Sequence, residues 1–299
     1  MELEILTPRN LAQLAAALRR ATPNTSLLAG GTDLVIHLRA PGPAPDLLID
    51  LSAMRELAFV RLEGDQVHVG AMTTFAQMQT DATLLSFARC LAETAAQVGS
   101  VQIRNAATIG GNVANASPCG DTIPMLLALD AQVQVLDADG RITRRALREI
   151  VAGAGTNSLA PGQAIIGFWF GALAARQRGA FAKVGVRSAM TVAKLSLAVV
   201  LDFDQASRRC SAAKVAFGAL GAVAFRDAGV ESVLRGQVAN GAAAQAFAQA
   251  CVDAVRRAIP NRPSLAYKQH AMVGLAYDIW NALQICAPCE PAGWLDRSP

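Results

Sequence analysis

The stretch of sequence that decides the fold is Gln102-Ile-Arg-Asn-Ala-Ala-Thr-Ile-Gly-Gly-Asn-Val-Ala-Asn-Ala-Ser-Pro-Cys-Gly-Asp121. From Asn105 to Asp121 it contains mostly small residues and too few large apolar side chains for a core element, so we predict a long loop. Loops of this length inside compact domains are usually functional. The Gly110-Gly111 pair near its middle is therefore the first candidate for a binding site.

A second glycine pair, Gly30-Gly31, lies in the segment Leu28-Ala-Gly-Gly-Thr-Asp-Leu34. A diphosphate needs close approach of the main chain and several N–H donors, which glycine permits because it lacks Cβ and accepts positive φ. One such pair usually marks only a tight turn, but two pairs favour a bound diphosphate. Neither pair forms the GxGxxG or GxxxxGKS pattern, which argues against Rossmann and P-loop binding.

Helix and strand signals alternate through the first part of the chain, which favours an α/β or α+β layout. Thr7 and Pro8 predict the cap and first residue of a helix. The other predicted elements are strands at Ser26–Ala29, Leu47–Leu51 and Gln163–Phe170, helices at Asp33–Arg39, Thr73–Gln79, Ala82–Val98 and Pro124–Leu129, and hairpins at 58–70 and at Gln132–Leu136 with Arg141–Arg144.

The pattern changes in the stretch Ala172–Gly179, where we place a domain boundary. Strands followed by helices beyond it predict a separate α+β domain. Its predicted elements are strands at Ala180–Val186, Leu195–Asp202 and Ala213–Gly218, and helices at Gly241–Ile259 and Ser264–Cys286.

Composition and charge argue against several classes of protein. No apolar run reaches the roughly 18 residues that a membrane span needs. The acidic start Met-Glu-Leu-Glu is unlike a secretory signal, so we expect a cytoplasmic protein. Because the 27 basic residues are scattered among 23 acidic ones, we expect no nucleic-acid partner.

Candidate catalytic and metal-binding side chains do not form a set. His37, His68 and His270 lie far apart, with no carboxylate or second histidine at ligand spacing, so we assign neither catalytic nor metal-binding residues. Cys286 and Cys289 form a CxxC without a second pair, which lacks half the ligands of a metal site. No cysteine set could hold an iron–sulfur cluster.

The two glycine segments resemble the signature loops of the FAD-binding (medium) subunits of molybdenum hydroxylases, the xanthine dehydrogenase and carbon monoxide dehydrogenase flavoprotein family. The similarity continues through Ala180–Arg187 and, loosely, through Arg262–Lys268. It implies an α+β fold: a two-lobed FAD-binding domain of the vanillyl-alcohol oxidase (PCMH) type over residues 1–175, with lobes of about 1–55 and 56–175. A C-terminal α+β domain with a small antiparallel sheet and helices would cover 180–286, followed by a tail at 287–299.

The same resemblance implies which residues contact FAD. Main-chain N–H groups of both loops would hold the diphosphate. These residues are Leu27, Leu28, Ala29, Gly30, Gly31, Thr32, Asp33 and Leu34 in the first loop and Thr108, Ile109, Gly110, Gly111 and Asn112 in the second. Asp121 would accept hydrogen bonds from the ribose or adenine end, Ile165 would lie beside the cofactor, and Lys183 would lie near the polar edge of the flavin.

The resemblance further implies an electron-transfer subunit. A large partner would hold the molybdopterin cofactor, a small partner with [2Fe–2S] clusters would reduce the FAD, and NAD or another acceptor would reoxidise it. Two alternatives stay open: a stand-alone flavin reductase of the same fold, resembling the one that acts on enolpyruvyl-UDP-N-acetylglucosamine, and an assembly scaffold without cofactor.

Overall fold

The computed structural model describes residues 3–204 and 206–284. The strands in this part of the chain are β1 Glu4–Leu6, β2 Thr25–Leu28, β3 Leu47–Asp50, β4 Val60–Glu63, β5 Gln66–Gly70, β6 Gln132–Asp137, β7 Ile142–Ala146, β8 Val151–Gly153, β9 Thr156–Asn157, β10 Gln163–Gly171, β11 Gln177–Val184, β12 Leu195–Phe203, β13 Cys210–Gly218 and β14 Phe225–Arg226.

The α-helices are α1 Leu11–Leu18, α2 Leu34–Arg39, α3 Phe75–Met78, α4 Ala82–Phe87, α5 Arg89–Ala96, α6 Val101–Ala106, α7 Ile109–Asn115, α8 Thr122–Ala128, α9 Leu147–Ile150, α10 Ala228–Leu234, α11 Gly241–Ala258 and α12 Leu265–Ala282. A 3₁₀ turn occupies Arg55–Leu57. No described helix is both long enough and apolar enough to cross a membrane.

The chain folds into two compact units. One takes the described residues up to Ser117 together with Asp130–Ala172, and the other takes Pro118–Leu129 and the described residues from Leu173 onward. Helix α8 therefore belongs to the second unit although it lies well before the expected domain boundary. Cys286, Cys289 and the predicted tail lie outside the described residues.

The first unit contains two main sheets. One is a parallel sheet with the strand order β1, β3, β2. The other is an antiparallel sheet in the order β4, β5, β10, β6, β7, in which the long central strand β10 joins two hairpins. Helix α1 packs Leu14 and Leu18 into a core shared with Ile49 of β3 and Leu136 of β6. Strand β2 pairs with β3 along its whole length, and β3 contributes to this core. The end of β2, where the first glycine loop begins, is therefore held in place.

The second unit has a four-stranded antiparallel sheet in the order β11, β12, β13, β14. All nine residues of β12 are buried, as expected of a central strand covered on both faces. Helices α11 and α12 contribute Phe247 and Trp280 to the core beneath it. The α+β fold class expected from the sequence, with a small antiparallel sheet and helices in the C-terminal part, is confirmed.

Three local predictions were wrong, each for a local reason. Helix α1 begins at Leu11 instead of Pro8, because the Asn10 side chain accepts the N–H of Gln13 at 2.9 Å. The helix predicted over Ala82–Val98 is two helices, because Ala88 has φ −157° and ψ 48°. The loop predicted from Asn105 to Asp121 contains helix α7, whose N-cap is Thr108. Helices α6, α9 and α10 were not predicted.

Candidate functional site

The first glycine loop leaves β2 as a turn with open main-chain donors. Gly31 adopts φ +68°, a conformation that L side chains rarely take. The N–H groups of Gly30, Gly31, Thr32 and Asp33 donate no hydrogen bond within the described part of the chain. Gly30, Gly31 and Thr32 are nevertheless half-buried. Successive open N–H groups in a turn of this kind form an anion-binding concavity.

The second glycine loop differs, because its N–H groups are already used. Ile109 donates to the carbonyl of Thr73 at 3.1 Å, and Gly110 donates to that of Ala71 at 2.9 Å. Gly111 donates to Oγ1 of Thr108 at 3.1 Å. The expected main-chain donation to a diphosphate is therefore wrong for Ile109, Gly110 and Gly111, whose N–H groups are bonded within the fold, while the place of these residues in the site stays a prediction.

The structure brings the two loops into contact. A Cβ built on Gly30 would lie 1.9 Å from the carbonyl oxygen of Ala106, just before the second loop. A Cβ on Gly111 would lie 3.8 Å from that of Ala29. Main-chain contact between the loops therefore requires a glycine at position 30.

Side chains of the second loop remain suited to phosphate oxygens. Thr108 is 3% exposed, and its hydroxyl oxygen accepts the N–H of Gly111. A hydroxyl that accepts one hydrogen bond keeps its own proton for another acceptor. Asn112 follows one turn later in α7 and supplies a carboxamide. Thr108 and Asn112 are therefore the polar groups of this loop that fit an anion.

Leu27 and Leu28 end β2, and Leu34 begins α2, so the first predicted loop includes the ends of both elements. Ile165 is 6% exposed in β10 and pairs with Val135 of β6, directly before a shift of register between Ile165 and Gly167. The predicted residues from Leu27 to Leu34, Thr108 to Asn112 and Ile165 all belong to the first unit.

Asp121 and Lys183 belong to the second unit and form a buried ion pair there. Lys183 Nζ lies 2.5 Å from Asp121 Oδ2, both side chains are 7% exposed, and Nζ also donates to the carbonyl of Thr191 at 3.2 Å. Burial raises the pKa of Asp121 above its ordinary value, although the ammonium of Lys183 opposes this shift. Asp121 Oδ1 is buried and has no hydrogen-bond partner among the residues that the structure describes.

The ion pair brings together two residues for which the resemblance implied separate roles. It implied the ribose or adenine end of FAD for Asp121 and the polar edge of the flavin for Lys183, and these roles stay predictions. The two charged groups lie 2.5 Å apart. An unpartnered buried carboxylate oxygen is costly unless a donor reaches it. The pair therefore fits a ligand group that donates a hydrogen bond to Asp121 Oδ1.

Sequence reasoning missed Thr191, whose main-chain carbonyl accepts a hydrogen bond from Lys183 Nζ. It lies in the turn between β11 and β12, eight residues after Lys183, where a lone threonine carries no recognisable pattern.

Among the described residues, no group of three or more His, Cys, Asp or Glu side chains could hold a metal ion.

A turn with successive open N–H groups is a feature of sites that bind phosphate groups. Residues 1–169 match the model of the FAD binding domain in molybdopterin dehydrogenase, and residues 180–283 match that of the CO dehydrogenase flavoprotein C-terminal domain. The chain therefore belongs to the FAD-binding flavoprotein family of the molybdopterin dehydrogenases.

Individual relatives agree with this membership. The nicotinate dehydrogenase FAD-subunit of Eubacterium barkeri is 29% identical over 278 residues, covering 92% of this chain and 93% of that protein. The carbon monoxide dehydrogenase medium chain of Hydrogenophaga pseudoflava is 31% identical over 47% of this chain and 49% of its own length. A solved carbon monoxide dehydrogenase from the same organism, lacking the Mo-pyranopterin moiety, shares the fold with a TM-score of 0.86 and 24% identity, covering 96% of this chain and 99% of that chain.

Proposed function

We propose that this chain is the electron-transfer subunit of a heterotrimeric molybdenum hydroxylase. FAD bound to it takes electrons from [2Fe–2S] clusters on a small partner and passes them to NAD or another acceptor. The observation that carries the proposal is the run of open N–H groups at Gly30–Asp33, in contact with a second glycine loop, in a chain of this family.

The first unit holds the diphosphate in this proposal. The N–H groups of Gly30–Asp33 donate to its oxygens, and the Thr108 hydroxyl and Asn112 carboxamide add side-chain donors. The N–H groups of Ile109, Gly110 and Gly111 are already hydrogen-bonded within the fold. These bonds hold the second loop, and with it the side chains that it presents, in a fixed place.

The second unit contributes the Asp121–Lys183 pair. FAD supplies the exchange of electrons between one-electron clusters and a two-electron acceptor. Lys183 holds positive charge near the polar edge of the flavin, where it stabilises negative charge on the reduced ring. Asp121 Oδ1 accepts a hydrogen bond from the cofactor, which satisfies its one open position. Ile165 supplies an apolar contact to the cofactor from β10.

The substrate is oxidised on another chain in this proposal. A large subunit holds the molybdopterin, and the small subunit relays electrons from it. The names of two relatives, "FAD-subunit" and "medium chain", describe parts of larger assemblies and support this division of labour. In this proposal the large subunit, and not this chain, selects the substrate of the complex.

Purification of the tagged chain from its native source tests the proposal. We expect a yellow complex with one FAD per copy of this chain, identified by chromatography after denaturation, together with molybdenum, iron and two further polypeptides. The isolated chain should keep FAD and oxidise no substrate. A colourless chain in the complex would refute the electron-transfer role, and turnover of a substrate with NADPH by the isolated chain would show a stand-alone reductase.

A further inference from the structure

The turn between β11 and β12 holds the ammonium group of Lys183 from a second side. Lys183 is the last residue but one of β11, and its Nζ donates to Asp121 Oδ2 and to the main-chain carbonyl of Thr191. Strands β11 and β12 are joined next to Lys183 by the hydrogen bond from the N–H of Lys194 to the carbonyl of Val184 at 2.8 Å. The position of the Thr191 carbonyl therefore depends on the turn from 185 to 193.

Thr191 is buried in a turn whose other large residues are exposed. It is 9% exposed, whereas Val186, Met190 and Val192 are 73%, 57% and 72% exposed. A Cβ built on Gly185 would lie 2.3 Å from both Cγ2 and Oγ1 of Thr191, so the threonine packs directly on the main chain of the opposite arm. The side chain of Thr191 is the internal brace of this turn.

Hydrogen bonds from the Thr191 hydroxyl fix both arms of the turn. Its Oγ1 accepts the N–H of Val186 at 3.1 Å and donates to the carbonyl of Val192 at 3.3 Å. The carbonyl of Met190, whose φ is +49°, accepts from Nε and NH2 of Arg187 at 2.9 and 2.6 Å. The chain direction is thus set on both sides of Met190, which aims the next carbonyl at Lys183.

We infer that Thr191 is a positioning residue that fixes the ammonium of Lys183 and thereby raises the reduction potential of the bound flavin. This inference rests on the proposed function, in which Lys183 lies at the polar edge of the flavin. Without the brace, the carbonyl of Thr191 leaves Nζ, the ammonium is less closely fixed, and the reduced ring loses part of the positive charge that stabilises it.

The test is the midpoint potential of the bound FAD, measured by spectroelectrochemical titration of the holoprotein. Thr191→Val keeps the shape and removes both hydrogen bonds of the hydroxyl. We expect FAD to stay bound and its potential to fall by at least about 30 mV, which is a tenfold loss of preference for the reduced form in a two-electron couple. Thr191→Ser keeps the hydroxyl and should restore the wild-type potential.

Two further variants keep the inference falsifiable. Thr143→Val, in the exposed strand β7, makes the same change of side chain away from the turn and should leave the potential unchanged. Arg187→Lys retains the charge but loses the paired contact with the Met190 carbonyl, so it should lower the potential even if Thr191→Val does not fold.

The outcomes separate the two proposals. If Thr191→Val and Arg187→Lys bind FAD with the wild-type potential, Thr191 is not a positioning residue, and the proposed function stands. If Thr191→Ser shifts the potential as far as Thr191→Val, the hydroxyl is not the cause and the inference fails. If the wild-type chain binds no FAD, both proposals fail.

Discussion

Nζ of Lys183 lies 2.5 Å from Oδ2 of Asp121, and each side chain is 93% removed from solvent. The two residues are separated by 62 positions in the sequence and come from the start of α8 and the end of β11. Burial of such a pair costs desolvation that the mutual attraction roughly repays, so its presence is weak evidence for stability. The open position on Asp121 Oδ1 is the observation that supports the proposed contact with the cofactor.

Removal of one partner should be strongly destabilising. Lys183→Met leaves the Asp121 carboxylate buried and unpaired, which should cost about 3–5 kcal/mol of the free energy of unfolding at neutral pH. Since burial already raises the pKa of Asp121, the loss should shrink as the pH falls and the carboxyl becomes protonated. Urea unfolding of the FAD-free protein at pH 8 and pH 5 measures both effects.

Arg20→Met is the matched control for this prediction. It breaks an ion pair of similar length, from Arg20 NH2 to Glu4 Oε2 at 2.6 Å, but the side chains are 52% and 49% exposed. An exposed pair contributes at most about 1 kcal/mol. Equal losses in the two variants would mean that burial of the Asp121–Lys183 pair has no energetic consequence.

Gly31→Ala should release FAD. The substitution forces a Cβ onto a residue with φ +68°, so the loop must change conformation and the open N–H groups lose their common direction. Gly155→Ala carries the same strain at φ +67° in open space, outside both loops. Each variant should lose about 1 kcal/mol of stability. FAD content per chain should fall at least tenfold in Gly31→Ala alone, and full flavin content in both would remove the first loop from the site.

Thr108→Val should weaken both α7 and cofactor binding. The Thr108 hydroxyl caps the N–H of Gly111, and loss of an N-cap costs about 0.5–2 kcal/mol. Thr108→Ser keeps the capping oxygen and the proton proposed for the phosphate, so it should behave like the wild type. FAD titration of the FAD-free protein measures the affinity. A Thr108→Val variant that lost stability but bound FAD normally would limit Thr108 to a structural role.

His68 should make the protein less stable in mild acid. Its ring stacks on Trp169 at 4.1 Å, and burial lowers its pKa below 6.5 although contacts with Gln134 and Glu63 oppose the shift. The unfolded chain therefore binds more protons, so stability falls as the pH drops from about 6.5 through the folded-state pKa. His68→Gln should show a shallower decline of the unfolding temperature between pH 7 and pH 5. Identical slopes would refute this role.

Much of the fold could be predicted because hairpins and amphipathic helices are local patterns. The hairpin around Glu63-Gly64-Asp65 and the strand at Leu195 follow from alternation and from a continuous apolar run. Helix α7 escaped prediction because its helical character depends on the Thr108 cap and on ties to Ala71 and Thr73, and its small residues carry no amphipathic pattern.

The site was predictable in its residue types but not in its contacts. Two glycine loops indicated a diphosphate, yet the sequence does not show that the N–H groups of Gly110 and Gly111 are already hydrogen-bonded within the fold. Nor does it show that Asp121 and Lys183 meet, since pairing between distant elements depends on tertiary packing. Thr191 is recognisable only once that pairing is known.

Amide hydrogen exchange with and without FAD tests most directly the claim that the first loop holds the diphosphate. Residue-resolved mass spectrometry of the FAD-free and FAD-loaded protein compares Gly30–Asp33, whose N–H groups are open, with Ile109–Asn112, whose N–H groups are already bonded. We predict that FAD slows exchange at least tenfold at Gly30–Asp33 and changes it far less at Ile109–Asn112. Unchanged exchange at Gly30–Asp33 in a protein saturated with FAD would contradict the account.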